Sequence, residues 1–354
     1  MTNKTQNPIR RQRRSERGFS IVELAISTLM MMIVLGAIFS IMNATFIANA
    51  SAQQTLQTQQ AMRVAIDTIA REITTAGTGL PGAITVPNGA GSAALLRPGI
   101  ETVLPTAANN LSILTPGEAE GPQITGQTAA QNTDVITIVS VNTQSPLWKL
   151  TGYTDTIPGT DISFANNIRA GSTQLFVNDV LLFTNNNGAV MGCITSVSTI
   201  VDVVSFDDMD SCGINQPAAA NGNFINTMLN ADMTLPPTTA VRINVITYYL
   251  SAQGTHGHPS LMRAVNAQAA EELIEGVEDL QFTYDLYDFA TGVETANVVP
   301  GAGFASSNQI RSVNIALKGR SPQKLKRTGD YYRFGLSSKV TIRNSTFRNR
   351  YNGP

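Results

Sequence analysis

Residues 18–50 read GFSIVELAISTLMMMIVLGAIFSIMNATFIANA, and this stretch decides the architecture. Leu24 to Met42 is a run of 19 residues without a charge, dominated by Leu, Ile, Met, Val, Ala and Phe. A helix of that length crosses the hydrocarbon core of a bilayer. Upstream lie Lys4, Arg10, Arg11, Arg13, Arg14 and Arg17 against Glu16 alone. A basic flank of this kind stays cytoplasmic, which sends the chain after Met42 to the far side of the membrane. A secretory signal has a shorter apolar core closed by an A-x-A-like site, and nothing after Met42 supplies one, so the segment is expected to be retained. Glu23, at the edge of the run, is the anomaly, because an unpaired carboxylate is costly in hydrocarbon and needs a cationic partner.

The helical reading extends beyond the membrane segment. From Phe19 to Thr75 there is no proline, and Leu56, Met62, Ile66, Ile69 and Ile73 recur at helical spacing among Gln, Thr, Asp and Arg. A helix of these 57 residues extends about 85 Å and ends at the breakers Gly77, Gly79 and Pro81. Its second half is amphipathic and is expected to lie on a sheet. The segments are therefore read as 19–47, membrane-spanning, and 48–75, its amphipathic continuation.

Arg17, Gly18, Phe19, Ser20, Ile21, Val22, Glu23 and Leu24 resemble the class III signal of type IV pilins and pseudopilins, which reads glycine, then phenylalanine, then glutamate at mature position five. The resemblance implies cleavage between Gly18 and Phe19 by a membrane prepilin peptidase, loss of residues 1–18, and methylation of the new Phe19 amine. Gly18 offers an unhindered carbonyl to a peptidase, and cleavage leaves an α-ammonium at the membrane edge that needs an anion. In that family's filaments the glutamate is thought to neutralise the amine of a neighbouring subunit, so the resemblance implies an assembly role for Glu23.

Charge is segregated along the chain. Residues 1–18 carry six basic side chains against one acidic, net +5; residues 19–317 carry eight against 23, net −15; residues 318–354 carry ten against Asp330 alone, net +9. Only two cysteines and two histidines occur. That excludes a disulfide-dense scaffold and a four-thiolate zinc site, and leaves little for imidazole catalysis. No G-x-S-x-G, Walker A, H-E-x-x-H or C-x-x-C motif is present. The expectation is a protein that is not an enzyme and carries no cofactor or metal.

Residues 76–130 are rich in Gly, Pro, Ala and Thr and read as a loop-rich insert holding a strand or two, one of them near Leu111 to Leu114. Strand-like runs then recur: DVITIVSV from Asp134, STQLFV from Ser172, VLLF from Val180, VMGCITSV from Val190 and TIVDVVSF from Thr199. VRINVITYYL, LMRAV, DLQFTYDLYD, RSVNIALK and GLSSKVTIR follow. One long helix followed by many strands gives an α+β fold, with the helix packed on a mostly antiparallel body spanning 131–354. The order VRINVITYYLS, LMR, ELIEGVEDLQFTYDLYD, RSVNIALKGR and KVTIRN, within residues 241–343, resembles the PilW group of minor pilins and the related GspJ minor pseudopilins.

Four further groups are candidate sites. Cys193 and Cys212 lie 19 residues apart in an inferred oxidising compartment, where a disulfide and two separately buried thiols both fit the sequence. Asp207, Asp208 and Asp210 resemble the start of a calcium loop, with Asp208, Asp210 and Gly213 at positions one, three and six. Cys212 at position five and Ala219 at position twelve exclude an EF-hand, leaving a solvated acidic turn. His256 and His258 sit in a Gly- and Pro-flanked loop with no third ligand type nearby in sequence, so no metal site is expected. The basic tail, with Lys318, Arg320, Lys324, Lys326, Arg327, Arg343, Arg348 and Arg350 among Tyr331, Tyr332, Phe334 and Phe347, fits nucleic acid or a partner. Pairing with the acidic body of a neighbouring subunit, or a solvated edge strand protected by charge, is the favoured reading of that tail.

The expectation is a minor pilin subunit of a type IV pilus, in a priming or tip complex, anchored in the bacterial inner membrane with a periplasmic body before assembly. Its implied partners are prepilin peptidase, other pilin subunits, the inner-membrane assembly platform and membrane lipid. The alternatives are a minor pseudopilin of a type II secretion system and a DNA-binding receptor pilin that uses the basic tail.

Overall fold

A computed structural model describes residues 18–81, 97–100, 111–124, 132–156, 159–169, 171, 174–208, 210–215, 228–254, 256–288, 291–300 and 309–344. The basic leader up to Arg17, most of the 76–130 insert, and Phe347, Arg348 and Arg350 of the tail lie outside these residues.

A single helix, α1 (Ile21–Thr75), fills the N-terminal part. It starts two residues later than the proline-free stretch because Ser20 takes extended backbone and caps it, its hydroxyl accepting from the Val22 N–H. The helix has two environments. Every described residue from Gly18 to Phe46 is exposed, whereas Thr58, Met62, Ala65, Ile66, Ile69 and Ile73 are buried. The buried set recurs every three to four residues, as one face of a helix on a sheet requires.

Fifteen strands follow among the described residues. The first eight are β1 (Leu114–Gly117), β2 (Val135–Val141), β3 (Trp148–Thr156), β4 (Gly159–Phe164), β5 (Val180–Asn185), β6 (Gly188–Cys193), β7 (Ser196–Val197) and β8 (Val203–Asp207). The second group comprises β9 (Thr239–Ser251), β10 (Ser260–Val265), β11 (Glu271–Glu275), β12 (Val277–Asp288), β13 (Val293–Val298), β14 (Ile310–Arg320) and β15 (Arg333–Thr341). All pairings are antiparallel.

Two sheets result. The larger runs β1-β2-β9-β3-β4-β8-β7, with β5–β6 and β10–β11 attached through β9; the smaller runs β13-β12-β14-β15. β9 is the hub, because its length lets β2 and β3 share one edge and β10 and β5 the other. The buried face of α1 packs on β15, β14, β11 and β2, and its Met62, Ile66, Ile69 and Ile73 join one apolar core with Leu280, Phe282, Val313 and Leu317. A second core, around Trp148, Phe183 and Phe206, lies under the β3–β8 strands.

The helix is also pinned by polar contacts. Glu72 accepts from Arg263 Nη2 at 2.8 Å and Nε at 3.1 Å through one oxygen, and from the Tyr248 hydroxyl at 2.7 Å through the other. Further along, Gln59 Nε2 donates to the Tyr332 hydroxyl at 2.8 Å, and Asn344 donates to the Gly77 carbonyl.

The α+β architecture agrees with the sequence, but several strand expectations need correction. STQLFV is no strand over its described residues: Asn178 takes a left-handed turn (φ 70°), and Asp179 accepts from the Phe176 N–H while pairing with Arg242. TIVDVVSF is a strand only from Val203, because the Ser198 hydroxyl accepts from the Ile200 and Val201 N–H groups and holds a turn there. β3, β4, β11 and β13 were not expected at all. β3 and β11 are mostly half-buried or exposed, β13 is almost wholly exposed, and β4 buries only Ile162 and Phe164 as large apolar residues, so a strong run of apolar alternation is missing.

The two environments of α1 predict a graded mutational response. Ile69→Ala, at a fully buried position, should lower unfolding stability by about 2–5 kcal/mol. Leu56→Ala, at an exposed one, should change it by less than about 0.5 kcal/mol. Urea unfolding of the full chain in detergent, followed by the fluorescence of Trp148, makes the comparison.

Candidate functional site

The candidate residues fall at three places in the fold. At the helix start, Gly18 and Phe19 precede the Ser20 cap in exposed, non-helical backbone, and Glu23 stands exposed in the first turn. A carboxylate there is favoured by the positive end of the helix dipole. A cation on the Phe19 nitrogen would be disfavoured by the same dipole, so that nitrogen and a carboxylate are natural partners.

At the end of β6, Cys193 and Cys212 form a disulfide with Cα atoms 6.2 Å apart. Around it, Asn215 Oδ1 accepts from the Cys193 N–H at 2.8 Å, and Asn215 Nδ2 donates to the carbonyls of Cys193 and Asp207. Asp210 is buried, and its two oxygens accept from the N–H groups of Cys212, Ile214 and Asn215. Burial pushes the Asp210 carboxyl up, and those backbone donors pull against it. This corrects the reading of the acidic turn as wholly solvated: Asp210 is a buried carboxylate that organises the loop closed by the disulfide. Asp207 accepts from Thr195 Oγ1 at 2.9 Å. Although Cys193, Asp210 and Cys212 cluster, their sulfurs are joined to each other and offer no thiolate.

The histidine loop differs from expectation as well. Tertiary structure brings Glu272 and Glu275 to His256, the three offering ligand atoms within 4.8 Å of one another. A bulge in β11 explains this. Ile274 opposes Leu261 while Glu272 opposes Met262, so Leu273 is the extra residue and both glutamates reach the same face. His256 Nδ1 lies against Glu275, and Glu272 accepts from the Ser260 hydroxyl at 2.5 Å. His258 is not in the cluster.

The basic tail divides. Lys318 Nζ lies 2.8 Å from Asp279, which it faces directly across β12 and β14. Arg320 and Arg333 share Glu278, at 3.1 Å and 3.0 Å. Glu278 is nearly inaccessible and is the extra residue of a bulge, which aims it between the two guanidinium groups. Its hydrogen bond and charge raise the Arg333 guanidinium further above its ordinary value. Lys339 pairs with Asp285 at 2.5 Å. Burial tends to raise that carboxyl, but hydrogen bonds from Lys339, Asn297 and Asn314 outweigh it and hold it below its usual range. The expected partner was a neighbouring subunit, whereas these four tail cations pair with acids of their own chain. By contrast, Lys324, Lys326 and Arg327 are exposed in the turn between β14 and β15.

The acidic partners Glu278, Asp279 and Asp285 were not singled out in the sequence. Part of their signal was available: the adjacent acids Glu278 and Asp279 at the start of VEDLQFTYD meet Lys318 and Arg320 of ALKGR once the two segments are paired. Arg97 was also missed. It is fully buried, donating to the Thr115 and Pro116 carbonyls and to Thr137 Oγ1 while facing Glu120.

Residues 247–351 match the model of a family described as Type IV Pilus-assembly protein W. The match covers the second half of β9 through β15 and supports a type IV pilus-associated protein. No curated protein and no solved structure matches the chain.

The disulfide closes a 19-residue separation, so replacing both Cys193 and Cys212 by Ser should cost about 3 kcal/mol of stability. In native protein neither thiol should alkylate until reductant is added. Ready alkylation of the unreduced chain would overturn the pairing.

Proposed function

We propose that this chain is a minor pilin-like structural subunit of type IV pilus assembly. It is made as a precursor, clipped between Gly18 and Phe19 by a prepilin peptidase, methylated on Phe19, and held in the inner membrane by the apolar half of α1. From there it is drawn into a filament by helix packing. The observation that carries this reading is the division of one 55-residue helix into an exposed apolar half and a half buried on a sheet. The exposed half is long and apolar enough to cross a membrane, and the match to a pilus-assembly family falls on the sheet that holds the other half.

The mechanism follows from charge and burial. While the subunit sits in the bilayer, the exposed side chains from Leu24 to Phe46 are solvated by lipid. On leaving it they must be covered again, and the equivalent helices of neighbouring subunits offer the matching apolar surface. Apolar packing alone slides easily along a helix. A charge pair between the Phe19 ammonium of one subunit and Glu23 of another fixes the axial register, because any other register leaves a charge unpaired in apolar surroundings. The body contributes no catalysis in this reading. Its size supports assigning it a minor, priming or tip position in this reading.

Protein recovered from native membranes should begin at a methylated Phe19, as read by intact mass and N-terminal sequencing, and material that begins at Met1 would overturn the proposal. Glu23→Ala should still be processed. Its incorporation into sheared filaments should fall by at least an order of magnitude, since stranding one member of a buried pair costs about 3–5 kcal/mol.

A further inference from the structure

The three exposed cations of the β14–β15 turn lie at a defined end of the molecule. Where β14 and β15 meet the turn, Ser321 N–H donates to the Tyr332 carbonyl, and Tyr332 is held by Gln59 of α1. Where β15 ends, Asn344 reaches Gly77, at the far end of the same helix. The hairpin therefore runs alongside α1 with its turn directed toward the membrane-spanning half. Thr58 is buried there, and Gln54 and Thr55 are half-buried. From Gln59 back to Phe46, where the exposed apolar run ends, the helix rises only about 20 Å, and the turn is at the end of the hairpin nearer that interval.

The turn is preformed. The Leu325 N–H donates to the Asp330 carbonyl, and the Leu325 carbonyl accepts from both Thr328 and Gly329, so Lys326 and Arg327 occupy its tip. Gly329 supplies the left-handed backbone (φ 71°) that closes it. The Tyr331 ring is stacked by Arg320 at 4.4 Å and approached by Lys324 at 5.7 Å. Acids nearby are already engaged: Asp330 lies 3.8 Å from Arg333, Glu278 holds two arginines, and Glu275 faces His256 in the adjoining turn.

We infer that the Lys324, Lys326 and Arg327 turn is a docking surface for anionic phospholipid headgroups, which holds the body against the membrane before the subunit is extracted. The inference rests on the reading of α1 as a membrane anchor. Exposed cations at that height feel the negative potential of an anionic leaflet, which decays within about 8 Å at physiological salt. A turn facing away from the bilayer would feel nothing, so it is the hairpin's direction that selects lipid over nucleic acid.

The test uses the full chain, labelled with a fluorophore at Thr328→Cys, in vesicles carrying a headgroup nitroxide quencher. Vesicles of phosphatidylglycerol with phosphatidylcholine are compared with phosphatidylcholine alone. The expected result is strong quenching only with phosphatidylglycerol, abolished by 0.5 M salt, where the screening length falls to about 4 Å, and by Lys324→Gln/Lys326→Gln/Arg327→Gln. Equal quenching in both vesicle types, or quenching unchanged in the triple variant, overturns the inference. So does charge-dependent binding of duplex DNA by the same turn without lipid-dependent quenching, which would make it a nucleic-acid surface. Flotation separates the two readings. A chain that floats with both vesicle types but shows no quenching loses only the turn's role, whereas a chain that floats with neither loses the anchor and the turn together.

Discussion

The docking of the second half of α1 on the β-sheet is the constraint on which the rest depends. Met62, Ile66, Ile69 and Ile73 supply the apolar stripe, and burial of such side chains contributes roughly 1.5–3 kcal/mol each. The stripe alone leaves rotation and sliding of the helix loosely specified. Glu72 removes that freedom, because satisfying Arg263 on one oxygen and Tyr248 on the other ties a single point on the helix to both β10 and β9. Its charge and hydrogen bonds hold the Arg263 guanidinium above its usual value against the opposing effect of burial. A body fixed to one face and one height of the helix can neither slide nor rotate along it without breaking these bonds.

The same frame explains where the charges went. The basic end of the chain and its acidic middle appear as separate blocks only in sequence order. Folding places β14 and β15 beside β12, and Lys318, Arg320, Arg333 and Lys339 meet Asp279, Glu278 and Asp285 across neighbouring strands. Several of these acids are largely inaccessible, so removing one cation would strand a buried charge, a costlier event than loss of an exposed pair. The ladder also shields the β15 edge. The residues exposed along it include Arg333 and Lys339, and cations on an edge strand discourage pairing with a stray strand.

What could be read from the sequence followed the strength of its periodicity. α1 was legible over its whole length because 57 proline-free residues carry first a continuous and then a one-sided apolar pattern. The strongly buried β2, β5, β9, β12 and β14 were legible for the same reason. β3 and β4 were not: their Gly, Asp and Thr residues weaken the pattern, and their pairing is decided by the partner strands β8 and β9. The meeting of His256 with Glu272 and Glu275 was hidden too, since a bulge at Leu273 changes which side chains share a face and leaves no mark in local composition. The Cys193 and Cys212 pairing was open in sequence because approach of two side chains is a tertiary fact.

The fold also separates the strands that hold the helix from those that lie away from it. The strands on which α1 packs are β11, β14 and β15, all inside the segment that matches the pilus-assembly family, together with β2. β3, β4, β7 and β8 and one face of β5 and β6 enclose the second core, whereas Val180, Leu182, Met191 and Cys193 of β5 and β6 belong to the core that receives α1; β3 and β5 join through the first half of β9, before the matched segment. Exposed apolar side chains concentrate around β3 to β8, at Leu147, Phe176, Val177, Ile200 and Val201. The contacts that set the height and rotation of α1 run through Glu72, Gln59 and the β14–β15 hairpin.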